Sequence, residues 1–157
     1  MSITSAAGSK VYIGTTIAAD TAVEFAADTY VEIKQVEDLG ELGDESEAIS
    51  FAGVGNARVL KLKGARDAGT LVLVVGRDPL DAGQIAVKAA EKTNFEYNFK
   101  LVANDAPDAD HTSSTYYFRG LVMSARDNYG QQNNVVRTTF NIGINSAIIE
   151  LPSEEEA

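Results

Sequence analysis

His111 is the only histidine in the chain, and it lies in Asp108-Ala109-Asp110-His111-Thr112-Ser113-Ser114, which places acid, base and hydroxyl groups side by side. Those are the three types a serine triad needs, but a triad is defined by geometry that spacing does not supply. A solvated loop histidine is the simpler reading. Neither a G-x-S-x-G elbow nor an H-E-x-x-H helix is present. One histidine cannot supply a metal site that needs two or more. Asp105, Asp108 and Asp110 are oxygen ligands of the kind calcium takes, yet they lack the spacing and the distal Glu of an EF-hand loop. A solvated acidic loop accounts for them. Gly53-Val54-Gly55-Asn56-Ala57-Arg58 begins like a dinucleotide fingerprint, but the third glycine is missing and a strand follows where a phosphate-cradling helix should start. Acid–base carboxylate pairs cannot be singled out among so many acids. The expectation is no enzyme, no cofactor and no metal.

Composition narrows the classes further. The 157 residues suit one domain spanning 1–157, and 45% hydrophobic content is too high for disorder. With 23 acids against 13 bases the formal charge is -10, which argues against wrapping nucleic acid. Cysteine is absent, so disulfides and thiolate sites are excluded. No basic, apolar leader opens the chain, and no apolar stretch is long enough to span a membrane. A soluble protein made and assembled in the cytoplasm is expected.

The elements that must position any surface come next. Lys10–Ile13 and Val23–Phe25 read as short strands, and Tyr30–Val36 as a half-buried one, with Val31 and Ile33 opposite Glu32 and Lys34. Between Glu37 and Glu47 there are six acids and no base. Residues 39–57 then read as a long loop or extended hairpin, followed by a strand at Arg58–Leu62. Its apolar residues Leu42, Ile49, Phe51 and Val54 look ready for a partner surface. Lys63–Gly69 reads as a turn, and Leu71–Val75 as a strand buried on both faces because its apolar run does not alternate. A helix is expected over 79–92, with Asp78 as N-cap and Pro79 at the first position. Ala82, Ile85, Ala86, Ala89 and Ala90 would form its buried stripe, with Val87 off it. Alternation of Phe95, Tyr97, Phe99 and Leu101, then strands over Tyr116–Ala125 and Val135–Ile149 around a turn at Asp127–Asn134, complete the pattern. Residues 151–157 form an acidic tail. The fold class is mainly β: an antiparallel β-sandwich or barrel with one flanking α-helix. Long polar strand edges and the apolar excursion together imply a homo-oligomer.

The order of features resembles the major tail tube proteins of lambda-like, flexible-tailed phages and of gene transfer agents. The matching stretches are Val36-Glu37-Asp38-Leu39-Gly40-Glu41-Leu42-Gly43, Lys63-Gly64 with Asp67-Ala68-Gly69 before an apolar strand, Asp81-Ala82-Gly83-Gln84, and Phe95-Glu96-Tyr97. Together they cover most of the chain from Lys10 to Ile149. The resemblance implies a β-sandwich with one helix, whose copies form hexameric rings that stack into a hollow tail tube. DNA would pass through that tube during ejection without specific binding.

It further implies a virion location, with tail tip or baseplate, tape measure and tail terminator proteins as partners and no membrane. Inter-subunit and inter-ring contact would fall to Leu39, Leu42, Ile49, Phe51 and Val54. The extra C-terminal immunoglobulin-like domain of many lambda-like members is not expected. A net negative charge suits a conduit that repels phosphate. The alternatives are a type VI secretion-like tube subunit, a non-enzymatic β-sandwich binding module, and a hydrolase built on His111.

Overall fold

The computed structural model of the chain describes residues 3–154. In chain order the elements are β1 (Lys10–Ile13), α1 (Ala22–Ala27), β2 (Val31–Ile33), β3 (Val36–Asp38), β4 (Glu45–Phe51), β5 (Leu60–Asp67), β6 (Thr70–Gly76), α2 (Ala82–Glu91), β7 (Tyr97–Val102), β8 (Thr115–Asn128), β9 (Arg137–Ile144) and β10 (Ile149–Leu151). Eight strands make one antiparallel sheet in the order β2-β1-β7-β8-β9-β6-β3, with β10 added on β8, and the sheet does not close into a barrel. The remaining two, β4 and β5, pair only with each other among the described residues.

Strand β8 organises the sheet. Its first half pairs with β7 on one side and β10 on the other, and its second half runs on alongside β9. The sheet curls about this strand, so that Val11, Ile13 and Ile33 from one flank share a core with Leu71, Leu73, Val75, Phe140 and Ile142 from the other. Burial of each such side chain contributes about 1.5–3 kcal/mol. The alternation expected for β7 and β9 places Phe99, Leu101, Phe140, Ile142 and Ile144 inward, as found, whereas Phe95, expected in the same strand, precedes β7 and is exposed.

The curl brings the two ends of the sheet together. Strands β2 and β3 are the terminal strands, yet only Lys34 and Gln35 separate them. The single strand expected over Tyr30–Val36 is therefore two strands, turned through a corner at Gln35, whose φ is +62°. Alternation in the sequence continues across the corner and hides it.

Helix α2 seals that seam. The Asp81 carboxylate accepts from the Gln84 backbone N–H as N-cap and also from Lys34 N at 3.0 Å. Buried Gln84 donates from Nε2 to the carbonyls of Lys34 and Gly76, while its Oε1 accepts from Asp78 N. Gly83 lies against β2 so closely that a Cβ there would overlap the Glu32 carbonyl.

These contacts correct the expected helix in two respects. It starts three residues later, because Asp78-Pro79-Leu80-Asp81 forms a turn, with Leu80 N bonded to the Asp78 side chain and Asp81 N to the Asp78 carbonyl. Asp followed by Pro serves a turn as well as a cap. Its buried face is Gly83, Gln84, Val87 and Ala90, whereas Ile85 is exposed. Close approach at Gly83 and the satisfied Gln84 amide outweigh the apolar stripe.

Two other expectations change. Val23–Phe25 is helical: Thr21 is the N-cap, its Oγ1 accepting from Glu24 N, and the Glu24 carboxylate accepts in turn from the Thr21 hydroxyl and from Asp20 N. This short α1 buries Phe25 against Tyr117, ring centroids 5.5 Å apart. The side chains of Asp28 and Asn98 clamp the preceding loop, Asp28 accepting from the Thr15 backbone and hydroxyl and Asn98 donating to Asp28 and to the Ile17 carbonyl. Strand β6 buries one face only. Leu71, Leu73 and Val75 are inside, but Val72 is exposed on the outer face, which α1 covers only around Tyr117 of β8.

Candidate functional site

The surface that the core does not explain is the β4–β5 hairpin. The expected excursion over 39–57 is its first part. The Lys63–Gly69 segment, expected as a turn, is largely strand: β5 runs to Asp67, and only Ala68 and Gly69 lead into β6. A β-bulge accounts for the misleading pattern. Ser46 pairs with Arg66 but Ala48 with Lys63, so β5 carries one extra residue at Gly64–Ala65. A glycine between charged residues reads locally as a turn, and only the partner strand shows otherwise.

Register sorts the ribbon into two faces. Ile49 opposes Leu62 and Phe51 opposes Leu60, giving an apolar face of two cross-strand pairs. Ser50 opposes Lys61 and Ala48 opposes Lys63, giving a face of small and basic residues. In a folded chain large apolar side chains are normally covered, yet Ile49 is 48% exposed, Phe51 59% and Leu62 63%. Val54 at the tip is fully exposed. The outer hydrogen-bonding edges of both strands are also unpaired among the described residues.

The residues singled out from sequence therefore divide. Ile49, Phe51 and Val54 stand on the hairpin, whereas Leu39 and Leu42 pack back against the core at its base. Leu60 and Leu62, which complete the apolar face, were missed. Alternation over Arg58–Leu62 marked a strand there, but not the strand it pairs with.

At the base of the hairpin lies a cleft of about 850 Å³. Glu41, Asp44, Glu45, Glu47 and Asp67 line it, with Arg66 as its one base. Arg66 Nη2 reaches Asp44 Oδ2 at 2.9 Å, and the other four acids make no ion pair among the described residues. From Ala48 to Lys63 the chain has Arg58, Lys61 and Lys63 and no acid. Charge is thus segregated along one ribbon, negative at the base and positive toward the tip.

The His111 loop has a different arrangement from a triad. His111 Nδ1 lies 2.6 Å from Asp108 Oδ1, which draws the Asp108 carboxyl below its ordinary range. Ser114 gives its hydroxyl to Asp105 instead, and that bond, with one from Ser114 N, lowers Asp105 in the same way. The same loop is tied to the chain end, since Ser153 N donates to Ser114 Oγ and Thr112 N to the Glu154 carbonyl. The acidic tail expected over 151–157 is described as far as Glu154, and its last three residues lie outside the described region. Gly53-Val54-Gly55 forms the hairpin tip, with Asn56 N bonded to the Gly53 carbonyl. Among the described residues no group of three or more His, Asp or Glu side chains is gathered as a metal site.

No protein-family model and no curated protein matches the sequence. Solved structures do match. A chain of the SPP1 tail tube, determined by solid-state NMR and cryo-EM, superposes at a TM-score of 0.67 with 16% identity, over 94% of this chain and 78% of that one. A chain from the baseplate of the anti-feeding prophage gives 0.64 and 17%, over 97% and 98%. One from the sheath/tube terminator of the PVC extracellular contractile injection system gives 0.65 and 14%, over 95% and 96%. The chain has the fold found in a phage tail tube and in contractile injection assemblies.

Proposed function

We propose that the chain is the structural subunit of a tail tube, in which copies form hexameric rings and rings stack into a conduit for DNA. The observation that carries this reading is an unpartnered hairpin with an exposed apolar face, on a fold shared with the SPP1 tail tube. Ile49, Phe51 and Val54, with Leu60 and Leu62, make the contacts between copies, while Leu39 and Leu42 anchor the hairpin's base. The subunit belongs to a virion and catalyses nothing. Its tube ends meet baseplate or tail-tip and terminator proteins, and its lumen holds a tape measure protein before DNA. The formal charge of -10 favours passage of DNA over adhesion.

Negative-stain microscopy of the purified protein tests this directly. Rings and tubes of uniform diameter are expected, and a protein that stays monomeric at high concentration overturns the reading. Replacing Glu45–Asp67 by a short Gly-Ser linker should leave a folded monomer that forms no tubes. A second reading, a tube of a contractile or secretion-type particle, is favoured by the neighbours from contractile injection systems. A contractile sheath around the tube in the native particle would select it.

A further inference from the structure

Three bases lie between the middle of the hairpin and its end. Among the described residues Arg58, Lys61 and Lys63 are exposed and none makes an ion pair. Lys61 is six residues from Asp67 along an extended strand, roughly 20 Å at ~3.3 Å per residue, so it stands well out from the ribbon's own acidic base, with Lys63, opposite Ala48, between them. The acids there are as poorly matched: five line the cleft and Arg66 answers one of them. Each surface lacks what the other holds.

We propose that the basic end of the hairpin seats in the acidic cleft of a second copy of this chain. The contact rests on the tube reading and deepens it, by assigning the two faces of the ribbon different tasks. Lys61 and Lys63 flank Ser50 and Ala48, whose short side chains let that face approach a concave, acid-lined surface. Arg58, in the loop before β5, reaches ahead of them. The opposite face, Ile49, Phe51, Leu60 and Leu62, is left for apolar contact with a neighbour. Hairpin end and cleft are different surfaces, so the contact is head-to-tail; set between stacked rings it does not close on itself, and repeated it builds a filament. Attraction between exposed charges is screened by salt, so assembly depends on ionic strength.

The experiment is a charge exchange read by sedimentation and electron microscopy. One variant carries Arg58→Glu, Lys61→Glu and Lys63→Glu; the other carries Glu41→Lys, Glu45→Lys and Glu47→Lys. Each alone should lose polymer by about tenfold or more relative to wild type, and an equimolar mixture should recover it, because each hairpin then finds an opposite cleft. Polymerisation of either variant at the wild-type level, or a mixture that stays dispersed, overturns the contact. Wild type that forms no polymer at any salt overturns the tube reading itself, and this contact with it. Should a variant fail to fold, the wild-type salt series decides: polymer should diminish between about 0.05 and 1 M NaCl, and no change across that range overturns the proposal.

Discussion

At Gln84 one amide joins three backbone segments, the corner after β2, the end of β6 and the turn before α2. Removing it takes the amide's hydrogen bonds from two carbonyls and one N–H, all part-buried. Gln84→Ala should lower unfolding free energy by about 2–4 kcal/mol in urea titrations, more than its apolar volume accounts for. Gly83→Ala should cost about as much, because the group its methyl meets is backbone and cannot swing aside. A wild-type melting temperature for Gly83→Ala would refute the tight packing described. Asp127 is the third such residue. The Thr138 hydroxyl bond, then Lys88 and Arg77, hold its carboxyl below the ordinary value near 3.8. Asp28 is lowered too: burial pushes it up, but bonds from the Thr15 hydroxyl and backbone and from Asn98 outweigh that. Groups with depressed folded values contribute stability above the unfolded range and lose it as pH falls through the folded values. Stability should therefore hold from neutral pH down to about 5 and decline below about 4, less steeply in Asp127→Asn, as measured by thermal melts across pH.

Among the elements, the hairpin stands apart because a two-stranded ribbon without a covering layer is marginal in water. No residue of the main core cluster comes from 45–67. Its amide protons should exchange rapidly in the free subunit, while β6, β8 and β9 stay protected by the core. After assembly the hairpin amides should become protected; exchange that stays rapid in tubes would argue against any role at a contact. The sequence made half of this element legible. Acids and apolar residues between Glu37 and Val54 marked an excursion, but the bulge at Gly64–Ala65 disguised the returning strand as a turn. Helix α2 shows the same limit. Its presence is legible over 79–92, three residues early at the start, whereas its buried face is not, because a small residue and an amide pack against β2 where an apolar stripe points elsewhere.

For the whole molecule, the governing feature is that one curled sheet begins and ends within two residues of chain. Gln35 takes the corner with positive φ, a conformation that costs a non-glycine residue about 1–2 kcal/mol. Its side chain is exposed. Gln35→Gly should therefore be neutral or raise stability by up to about 1 kcal/mol, and Gln35→Val should lower it. A destabilised Gln35→Gly protein in chemical denaturation would show that the Gln35 side chain, not the corner, matters. What the sequence by itself determined was the class of the protein: mainly β, acidic, built from alternating strands at β7 and β9 with one long helix between β6 and β7. Those properties follow from local periodicity and composition, which each segment carries alone. Tertiary structure decided the rest. Which strands become neighbours, which helix face is inward, why β6 is covered on one side, and where the hairpin's basic tip stands relative to its acidic base all depend on pairings between distant segments. Periodicity shows that a face is apolar, but not what will cover it.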